Sequence, residues 1–449
     1  MRFSKRFFTK GTIAFSALLL FSPLLTFASD DDDAKFKPKE IRVWQQINVP
    51  AHMQVKNDDG NMQDIFPGCA FGYNPANPTQ PLDPEHAYHF YFKQGKEDKL
   101  LFFFNGGGAC WNDHTCLTSL KVGDRPAYNP SLANANTAND TGILSSTREE
   151  NPYRDWSMVF IPYCTGDIHA GKKNSIYTDL TGLVTGVPGA PVMVQHRGFD
   201  NFLAVRDWAK NKFSNDKGKS ELEELLVAGS SAGGYGATLN FPYIKNAFPK
   251  AEAALMSDGS TAVLTQDFLD EVFSAGSPWA TDLTFPNWVT SFDQFGAYNA
   301  TTFNQTLITG LAGFYDDVRI GQYTTAWDLV QTQFLNIMKN PDNPMAWGNI
   351  PPQTFCEWNV RMSNSLALTA SASNYRYYIG KGEVHTVLTD AFAQDIYYTE
   401  SSADGVQFTD WIDNLNDDDK KVNWQNSSCT DCAPYSPELA PLPLLCSTM

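Results

Sequence analysis

Basic residues are scarce in this chain of 449 residues, where 33 Lys and Arg stand against 50 Asp and Glu. The formal net charge is −17. Nucleic-acid binding needs cations that displace counterions from phosphates, so this balance argues against a nucleic-acid partner. The same balance argues against a strongly anionic polymer as a substrate, unless the fold gathers a basic patch locally.

Long apolar runs are also few, and none after the N-terminal region reaches the roughly 20 residues that cross a bilayer. We therefore expect no stable membrane insertion. The first run, Gly11–Phe27, follows the basic segment Met1–Lys10 and precedes small residues that end at Ala28. This pattern predicts a signal peptide over residues 1–28, cleaved near Ala28, and hence a secreted or periplasmic protein. An uncleaved membrane anchor is the alternative.

The eight cysteines form an even set, which in an oxidising compartment predicts disulfides. Cys110 and Cys116 are close enough to clip one loop, and Cys429, Cys432 and Cys446 can tie the C-terminal tail to the body. The alternative for the Cys429–Cys432 pair is half of a zinc site. It lacks a second CxxC motif and a following histidine, so we expect no zinc at this pair. For the chain as a whole, we expect no metal and no cofactor.

Five short apolar runs, each ended by turn residues, indicate strands buried on both faces of a parallel sheet. The runs are Leu100–Phe104, Ser157–Ile161, Leu225–Ala228, Ala253–Met256 and Tyr375–Ile379. Between the second and third, residues 199–213 place apolar side chains at helical spacing. This order of strand, helix and strand predicts βαβ units in an α/β fold.

The remaining segments complete the predicted organisation. Residues 29–60 are polar and are expected to form an extended lead-in. Residues 61–449 are expected to form the main domain, a mostly parallel sheet with helices on both faces. Residues 260–360 are rich in aromatic residues, Thr and Asn, and are expected to insert as a cap of helices and loops. No repeat is visible, and the sequence predicts nothing about oligomeric state.

The strongest local motif follows the third apolar run, where Gly229-x-Ser231-x-Gly233 precedes a glycine-rich helix start. A strand before this motif and a helix after it are the context of a nucleophile elbow. The two glycines allow the strand and helix to approach closely, and the turn exposes the hydroxyl of Ser231. The N–H of Ala232 would then face a developing oxyanion. The alternative is an ordinary glycine-rich turn.

A second glycine-rich segment, Asn105–Gly108, follows the first apolar run. It resembles the loop of esterases whose bare backbone N–H groups bind the substrate carbonyl oxygen. Gly107 and Gly108 are therefore candidate oxyanion donors. The alternative, a phosphate-binding loop, would need a Lys-Ser/Thr pair that does not follow.

The order of residues selects a candidate base. The order in α/β-hydrolases is serine, then acid, then histidine. Of the seven histidines, His385 alone follows Ser231, just beyond the fifth apolar run. For the acid, Asp258 follows the fourth run directly, whereas Asp328 lies nearer the position after the penultimate strand. Both remain open on this reasoning, together with other aspartates between Ser231 and His385.

Four segments together resemble the pectinacetylesterase family, which has bacterial, plant and animal members. They are residues 100–111 (LLFFFNGGGACW), 161–171 (IPYCTGDIHAG), 227–236 (VAGSSAGGYG) and 375–385 (YRYYIGKGEVH). The resemblance implies an α/β-hydrolase-like fold and metal-free ester hydrolysis. It implies Ser231 as nucleophile, with Gly107, Gly108 and Ala232 around the oxyanion.

The resemblance also bears on the acid and on the pocket. Residues 327–331 (WDLVQ) resemble the aromatic-Asp-x-x-Gln segment that carries the acid of this family, which favours Asp328 over Asp258. Plant and animal members place an aromatic residue just before the loop cysteine. Here that position is Ala109 and the aromatic residue is Trp111, so the pocket wall is expected to differ. Asp167 and His169 either shape the pocket or are structural.

The sequence thus predicts a secreted serine esterase that works through a Ser-His-Asp acyl-enzyme mechanism. The expected partner is an ester substrate, either an acetylated glycan or a small acyl ester. The alternatives are a non-catalytic binding protein on a hydrolase scaffold, an acyltransferase and a polyester depolymerase. Which acyl group and which alcohol the site accepts is not predicted.

Overall fold

A nine-stranded sheet organises the part of the chain that the computed structural model describes. The described residues are 42–71, 87–121, 126–132, 137–215, 220, 222–294, 296–389, 395–401, 404–416, 424–429 and 432–447. The predicted signal peptide, residues 1–28, lies outside them. The strands are β1 Trp44–Asn48, β2 Met53–Lys56, β3 Met62–Ile65, β4 His89–Lys93, β5 Lys99–Phe104, β6 Ser157–Ile161, β7 Lys173–Asp179, β8 Ala190–His196, β9 Glu224–Ser230, β10 Glu252–Asp258, β11 Arg319–Thr325, β12 Tyr375–Gly380 and β13 Ser427–Ser428.

The large sheet has the order β1-β4-β6-β5-β9-β10-β11-β12-β13. The first two pairings are antiparallel, and all the pairings from β6 to β13 are parallel. Two antiparallel hairpins, β2–β3 and β7–β8, stand apart from it. Because parallel strands end at the same edge, the loops that follow β5, β9, β10, β11 and β12 meet there.

Helices and turns cover both faces of the sheet. The helices are α1 Asp113–Cys116, α2 Gly198–Lys212, α3 Ala232–Ala247, α4 Gln266–Val272, α5 Phe303–Phe314, α6 Leu329–Lys339, α7 Pro352–Thr369, α8 Ile396–Thr399, α9 Phe408–Asp413 and α10 Leu442–Cys446. On one face, α2 and α3 pack against the central strands, where Phe104 meets Phe202 and Phe102 meets Phe248. On the other face, Trp411 and Ile412 of α9 join the buried cluster beneath β5, β6 and β9.

The predicted fold class is confirmed, since the large sheet is mostly parallel and has helices on both faces. All five apolar runs lie in strands, as β5, β6, β9, β10 and β12, and the predicted helix over residues 199–213 is α2. The first three runs are buried throughout, Ala254–Met256 of the fourth is buried, and the fifth is buried except at Arg376 and Tyr377. Burial on both faces explains why the runs are continuous rather than alternating.

Two expectations differ from the structure. Residues 29–60 were expected to be a polar lead-in, but β1 lies within them and pairs with β4 at the edge of the large sheet. An edge strand with one solvent-facing side carries polar residues, so composition does not separate it from an extended tail. The hairpin strand β2, Met53–Lys56, also lies entirely within this segment.

The expected cap, residues 260–360, contains the helices α4, α5 and α6 but also the central strand β11. Its sequence, RIGQYTT, lacks an apolar run even though six of its seven residues are buried. Gln322 is tolerated there because its Oε1 accepts hydrogen bonds from the Tyr375 hydroxyl (2.9 Å) and from Asn304 Nδ2 (3.1 Å). Buried polar groups with partners hide a strand from a search for apolar runs.

All eight cysteines are paired in four disulfides, so the expectation of disulfides is confirmed. Cys110–Cys116 clips the loop after β5, and Cys356–Cys446 ties α10 to α7. Cys69 pairs with Cys164, and Cys429 with Cys432. The helices among the described residues include none with the length and hydropathy to cross a membrane.

Candidate active site

The turn between β9 and α3 has the geometry of a nucleophile elbow. Ser231 occupies it with φ 59° and ψ −127°, a backbone conformation that costs energy for a residue with a side chain. A Cβ on Gly233 would lie 1.9 Å from the carbonyl oxygen of Phe104, and one on Gly229 would lie 2.1 Å from that of Gly233. Glycine at both positions is what permits this close packing of strand and helix, as the sequence predicted.

His385 lies in the loop after β12, with its ring bound on one side only. Its Nδ1 lies 2.8 Å and 3.0 Å from the two carboxylate oxygens of Asp328. Because a carboxylate accepts, we assign the ring proton to Nδ1, which leaves Nε2 as an acceptor. Nε2 is buried without a hydrogen-bond partner among the described residues. Ser231 and His385 line the same cavity.

The electrostatic surroundings favour the protonated imidazole. Burial lowers the pKa of His385, but the charge of Asp328 and its hydrogen bond outweigh burial, and Asp258 adds to their effect. The net result is a pKa above the ordinary value for histidine. A ring arranged in this way can take a proton from a neighbouring hydroxyl and hold the resulting charge.

Asp328 is fully buried and ends the turn between β11 and α6. It is the N-cap of α6, where its Oδ1 accepts the backbone N–H of Gln331 at 2.9 Å. The side-chain Nε2 of Gln331 donates to Oδ2 at 2.8 Å. Capping fixes the carboxylate at the start of the helix and leaves it facing His385. The Asp-x-x-Gln spacing of the sequence therefore has a local structural cause.

Asp258, the other candidate acid, is bound by hydroxyl and backbone donors. Its carboxylate accepts hydrogen bonds from the hydroxyl of Ser230 (2.7 Å) and from the backbone N–H groups of Val387 and Leu388 (2.9 Å each). Burial raises the pKa of this group to about 6. The structure therefore brings Asp328, and not Asp258, to the imidazole of His385.

Two of the three candidate oxyanion donors border the same cavity as the serine. Gly108 and Ala232 line it together with Ser231 and His385. Ala232 is the first residue of α3, so its N–H has no partner within the helix. Gly107 does not line the cavity, and its carbonyl accepts the N–H of Asn129. The structure thus places Gly108 and Ala232 at the cavity, whereas Gly107 is not part of its lining.

His169 supports the glycine-rich loop, and Asp167 ties the loop after β6 to the start of α2. His169 is buried and its Nε2 lies 2.9 Å from the carbonyl oxygen of Asn105. Burial lowers the pKa of His169 to about 4, so the neutral ring donates this hydrogen bond at neutral pH. Asp167 accepts from Thr165 Oγ1 (2.6 Å) and from the N–H of Gly198 (2.8 Å). These contacts favour the structural alternative for both residues.

The cavity beside Ser231 is walled almost entirely by carbon. The centres of water-sized molecules can occupy about 70 Å³ of it. Its apolar lining comes from the loops after β5 and β6, from the β10–α4 segment, from α4 and the residue after it, and from α5 to α7: Trp111, Ile168, Val263, Leu264, Phe268, Phe273, Phe303, Val330, Phe334, Met338 and Trp358. The sequence predicted that Trp111 would alter the wall. The other members carry no local signal, because they meet only in the folded chain.

Part of the chain is similar to a known protein family. The family model described as pectinacetylesterase matches residues 84–270. This matched segment, which is less than half of the chain, is similar to the pectinacetylesterase family. The resemblance seen in the sequence is confirmed, and this pectinacetylesterase region contains Ser231 and the glycine-rich loop. Asp328 and His385 lie beyond it, so their assignment stands on the geometry alone.

Relatives of this pectinacetylesterase region fall into two groups. The palmitoleoyl-protein carboxylesterase notum1a of Danio rerio is 34% identical over 155 residues, which is 34% of this chain and 27% of the relative. Pectin acetylesterase 5 of Arabidopsis thaliana is 25% identical over 187 residues, or 40% of this chain and 39% of the relative. The chain thus matches well under half the length of these relatives.

The fold has a solved counterpart. The structure of the Wnt deacylase Notum from Drosophila aligns with a TM-score of 0.50 at 16% identity, over 87% of this chain and 98% of that one. At this identity the likeness concerns the fold. It agrees with the mostly parallel sheet and its elbow.

Proposed function

We propose that this protein is an exported serine hydrolase of carboxylic esters, with Ser231 as nucleophile, His385 as general base and Asp328 as the acid that orients it. One observation carries the proposal. His385 is bound to Asp328 through Nδ1 and presents a buried Nε2, unpartnered among the described residues, in the cavity that Ser231 also lines. Ring, carboxylate and strained serine are the three parts of a serine-hydrolase triad.

The reaction would run by acyl transfer. Ser231 Oγ attacks the ester carbonyl while His385 Nε2 takes its proton, and N–H groups of Gly108 and Ala232 bind the oxyanion, with Gly107 as a further candidate. The tetrahedral intermediate collapses as His385 gives the proton to the leaving alcohol, which leaves an acyl-serine. Water then attacks the acyl carbonyl while His385 takes its proton. His385 returns this proton to Ser231 Oγ as the acyl–oxygen bond breaks, which releases the carboxylic acid and regenerates the free serine.

The walls of the cavity favour an apolar acyl group longer than acetyl. Acetyl would leave most of the aromatic and aliphatic lining, such as Phe268, Phe334 and Trp358, without contact. Each methylene group that moves from water into such a wall contributes about 0.8 kcal/mol. The names of relatives cover both possibilities, palmitoleoyl-protein carboxylesterase and pectin acetylesterase. Hydrolysis of acetyl esters on a glycan remains the second candidate, favoured by the family description.

Export is part of the proposal. The signal-peptide pattern over residues 1–28 and the pairing of all eight cysteines in disulfides both suit an oxidising compartment. The measurement is N-terminal sequencing of protein recovered from outside the cytoplasm. A start near residue 29 supports export, and retention of Met1 in the cytoplasm contradicts it.

A fluorophosphonate probe tests the nucleophile. The wild-type protein should be labelled covalently, and Ser231→Ala should lose labelling and at least about 10⁴-fold of esterase kcat/KM, because the ring loses the hydroxyl that it activates. Ser371→Ala, which removes an exposed hydroxyl bonded to Leu368 O, is the matched control and should label normally. Full activity in Ser231→Ala refutes the proposal, and an unlabelled, inactive wild type favours the non-catalytic alternative.

An acyl-chain series tests the cavity. With 4-nitrophenyl esters of two to twelve carbons, kcat/KM should rise about tenfold or more from acetate to octanoate, since the added methylenes enter the apolar wall. The uncatalysed rate of each ester, measured with Ser231→Ala, is subtracted. A maximum at acetate, with release of acetate from acetylated glycans, would instead establish the second candidate.

A further inference from the structure

One buried segment, residues 258–260, touches both the nucleophile turn and the loop that carries the base. Asp258 ends β10, the neighbour of β9, which leads into the elbow. Its carbonyl oxygen accepts the N–H of Ser231 at 2.7 Å. The hydroxyl of Ser260 donates to the carbonyl oxygen of Ser231 at 2.5 Å. The strained backbone of the elbow is therefore held from two sides by this segment.

The same segment also forms hydrogen bonds with the loop that carries His385. Both carboxylate oxygens of Asp258 accept the N–H of Val387, at 2.9 Å and 3.1 Å, and one also accepts the N–H of Leu388. Gly259 lies under the imidazole, with φ +65°, where a Cβ would come within 3.0 Å of His385 Cε1. The position of the ring is thus set by the turn after β10 as well as by Asp328.

The carboxylate of Asp258 is the point where these contacts converge. It is completely buried, and the hydrogen bonds it accepts within the described part of the chain come from the elbow strand and from the base loop. A buried charge is costly unless hydrogen bonds satisfy it. The three donors around this carboxylate restrict both its position and its orientation.

We propose that Asp258 is a positioning residue that sets the distance between Ser231 and His385 by binding the elbow strand and the base loop at once. The inference rests on the proposed function. Asp258 does not line the cavity that Ser231 and His385 share. It acts through the backbone of residues 387 and 388 and through Ser230. Misplacing reacting groups by about 1 Å can cost about 10²-fold in rate.

The substitution Asp258→Asn tests this role. An amide has the size of the carboxylate, but its NH2 group would face N–H and O–H donors, so part of the network must separate. We expect kcat to fall about 10²-fold with KM changed by less than about threefold. The rate of fluorophosphonate labelling should fall in parallel, because labelling also requires the imidazole to be placed where it can accept the proton of the serine hydroxyl.

The pH profile separates positioning from a general loss of structure. The charged groups that face His385 are Asp328 from the start of α6 and Asp258 from the end of β10, and both raise its pKa. The base works when neutral, so kcat/KM rises with pH through this pKa. Removing the charge of Asp258 should move the acid limb to lower pH, whereas a merely weakened fold would leave its midpoint in place.

A matched control has the same chemistry at a remote site. Asp179, in the β7–β8 hairpin, is also buried and accepts the N–H groups of Val184 and Thr185. Asp179→Asn should leave both kcat and the acid limb unchanged. If Asp258→Asn fails to fold, Gly259→Ala replaces it. That change pushes on the ring without removing a charge, so kcat should fall while the limb stays.

The outcomes are distinct. Asp258→Asn with wild-type kcat and an unmoved acid limb overturns the positioning role, and so does Gly259→Ala with wild-type kcat. Activity that survives Ser231→Ala overturns the proposed function itself, whatever Asp258→Asn does. A loss of about 10²-fold in kcat together with a shifted limb, beside a normal Asp179→Asn, supports the inference.

Discussion

Two buried aspartates end neighbouring strands of the same sheet and reach the same loop from different sides. Asp258 follows β10 and binds the backbone N–H groups of Val387 and Leu388. Asp328 follows β11 and binds the ring of His385. Both are fully buried, and both come from the carboxyl edge where a triad acid is expected. Their location in the fold is therefore not the feature that separates their roles.

The two aspartates differ in the local structure that comes after each of them. Helix α6 begins directly after Asp328, so the backbone N–H of Gln331 fixes one carboxylate oxygen while both oxygens remain within reach of the ring. Asp258 is followed by Gly259 in a left-handed turn, which places the His385 ring over the glycine. The helix cap thus holds the carboxylate of Asp328 towards a side chain, whereas after the tight turn the carboxylate of Asp258 binds backbone N–H groups.

Of the substitutions that test the roles of the two aspartates, Asp328→Asn is expected to cause the largest loss in kcat. Asparagine caps helices as well as aspartate does, so α6 and the fold should persist. An amide NH2 facing Nδ1 would favour the tautomer with the proton on Nε2, which cannot accept a proton from Ser231. We expect kcat to fall by about 10³- to 10⁴-fold, measured with a 4-nitrophenyl ester, with circular dichroism and Tm as checks on folding.

The ranking of the two substitutions is itself a test. Asp328→Asn should cost more than Asp258→Asn by at least about tenfold in kcat. The reverse order, with Asp258→Asn the more damaging, would mean that Asp258 serves the imidazole directly. If both variants lose all activity because they are unfolded, the Tm will show it. The losses would then reflect the stability of the fold and not the positions of the catalytic groups.

Sequence patterns predicted the parts of this arrangement that are local. The elbow needs only Gly229, Ser231 and Gly233 between a strand and a helix, and these stand within five residues. The buried strands are continuous apolar runs because both of their faces are covered. His385 followed from chain order, and Asp328 from the resemblance of its segment to a family motif.

The parts that sequence did not predict depend on distant contacts. Strand β11 has no continuous apolar run in its sequence. Its buried residue Gln322 is polar and forms hydrogen bonds with Tyr375 and Asn304. The role of Asp258 depends on donors about 130 positions away in the chain. The apolar lining of the cavity is formed by residues that lie between Trp111 and Trp358 in the chain. In the sequence, none of them differs from an ordinary core residue. Long-range packing leaves no periodic trace in the sequence.

The smallest of the predicted effects concerns Gln331, the side chain that connects the two aspartate segments. Its Nε2 donates to Asp328 at 2.8 Å, and its Oε1 accepts the N–H and the hydroxyl of Thr261, which closely follows Asp258 in the chain. Gln331→Ala keeps the backbone cap of Asp328 but removes this bridge, so the carboxylate should lose orientation rather than position. We expect kcat to fall about tenfold and KM to change little.

A double-mutant cycle with Asp258→Asn then measures whether the bridge links the two segments. If Gln331 couples them, the double variant should lose less than the product of the two single losses, because the first change has already loosened the network. Strict multiplication of the losses would show that Asp328 and Asp258 hold His385 independently. In that case the bridge would matter only for packing around Thr261, and the two carboxylates would have to be regarded as separate supports of one ring.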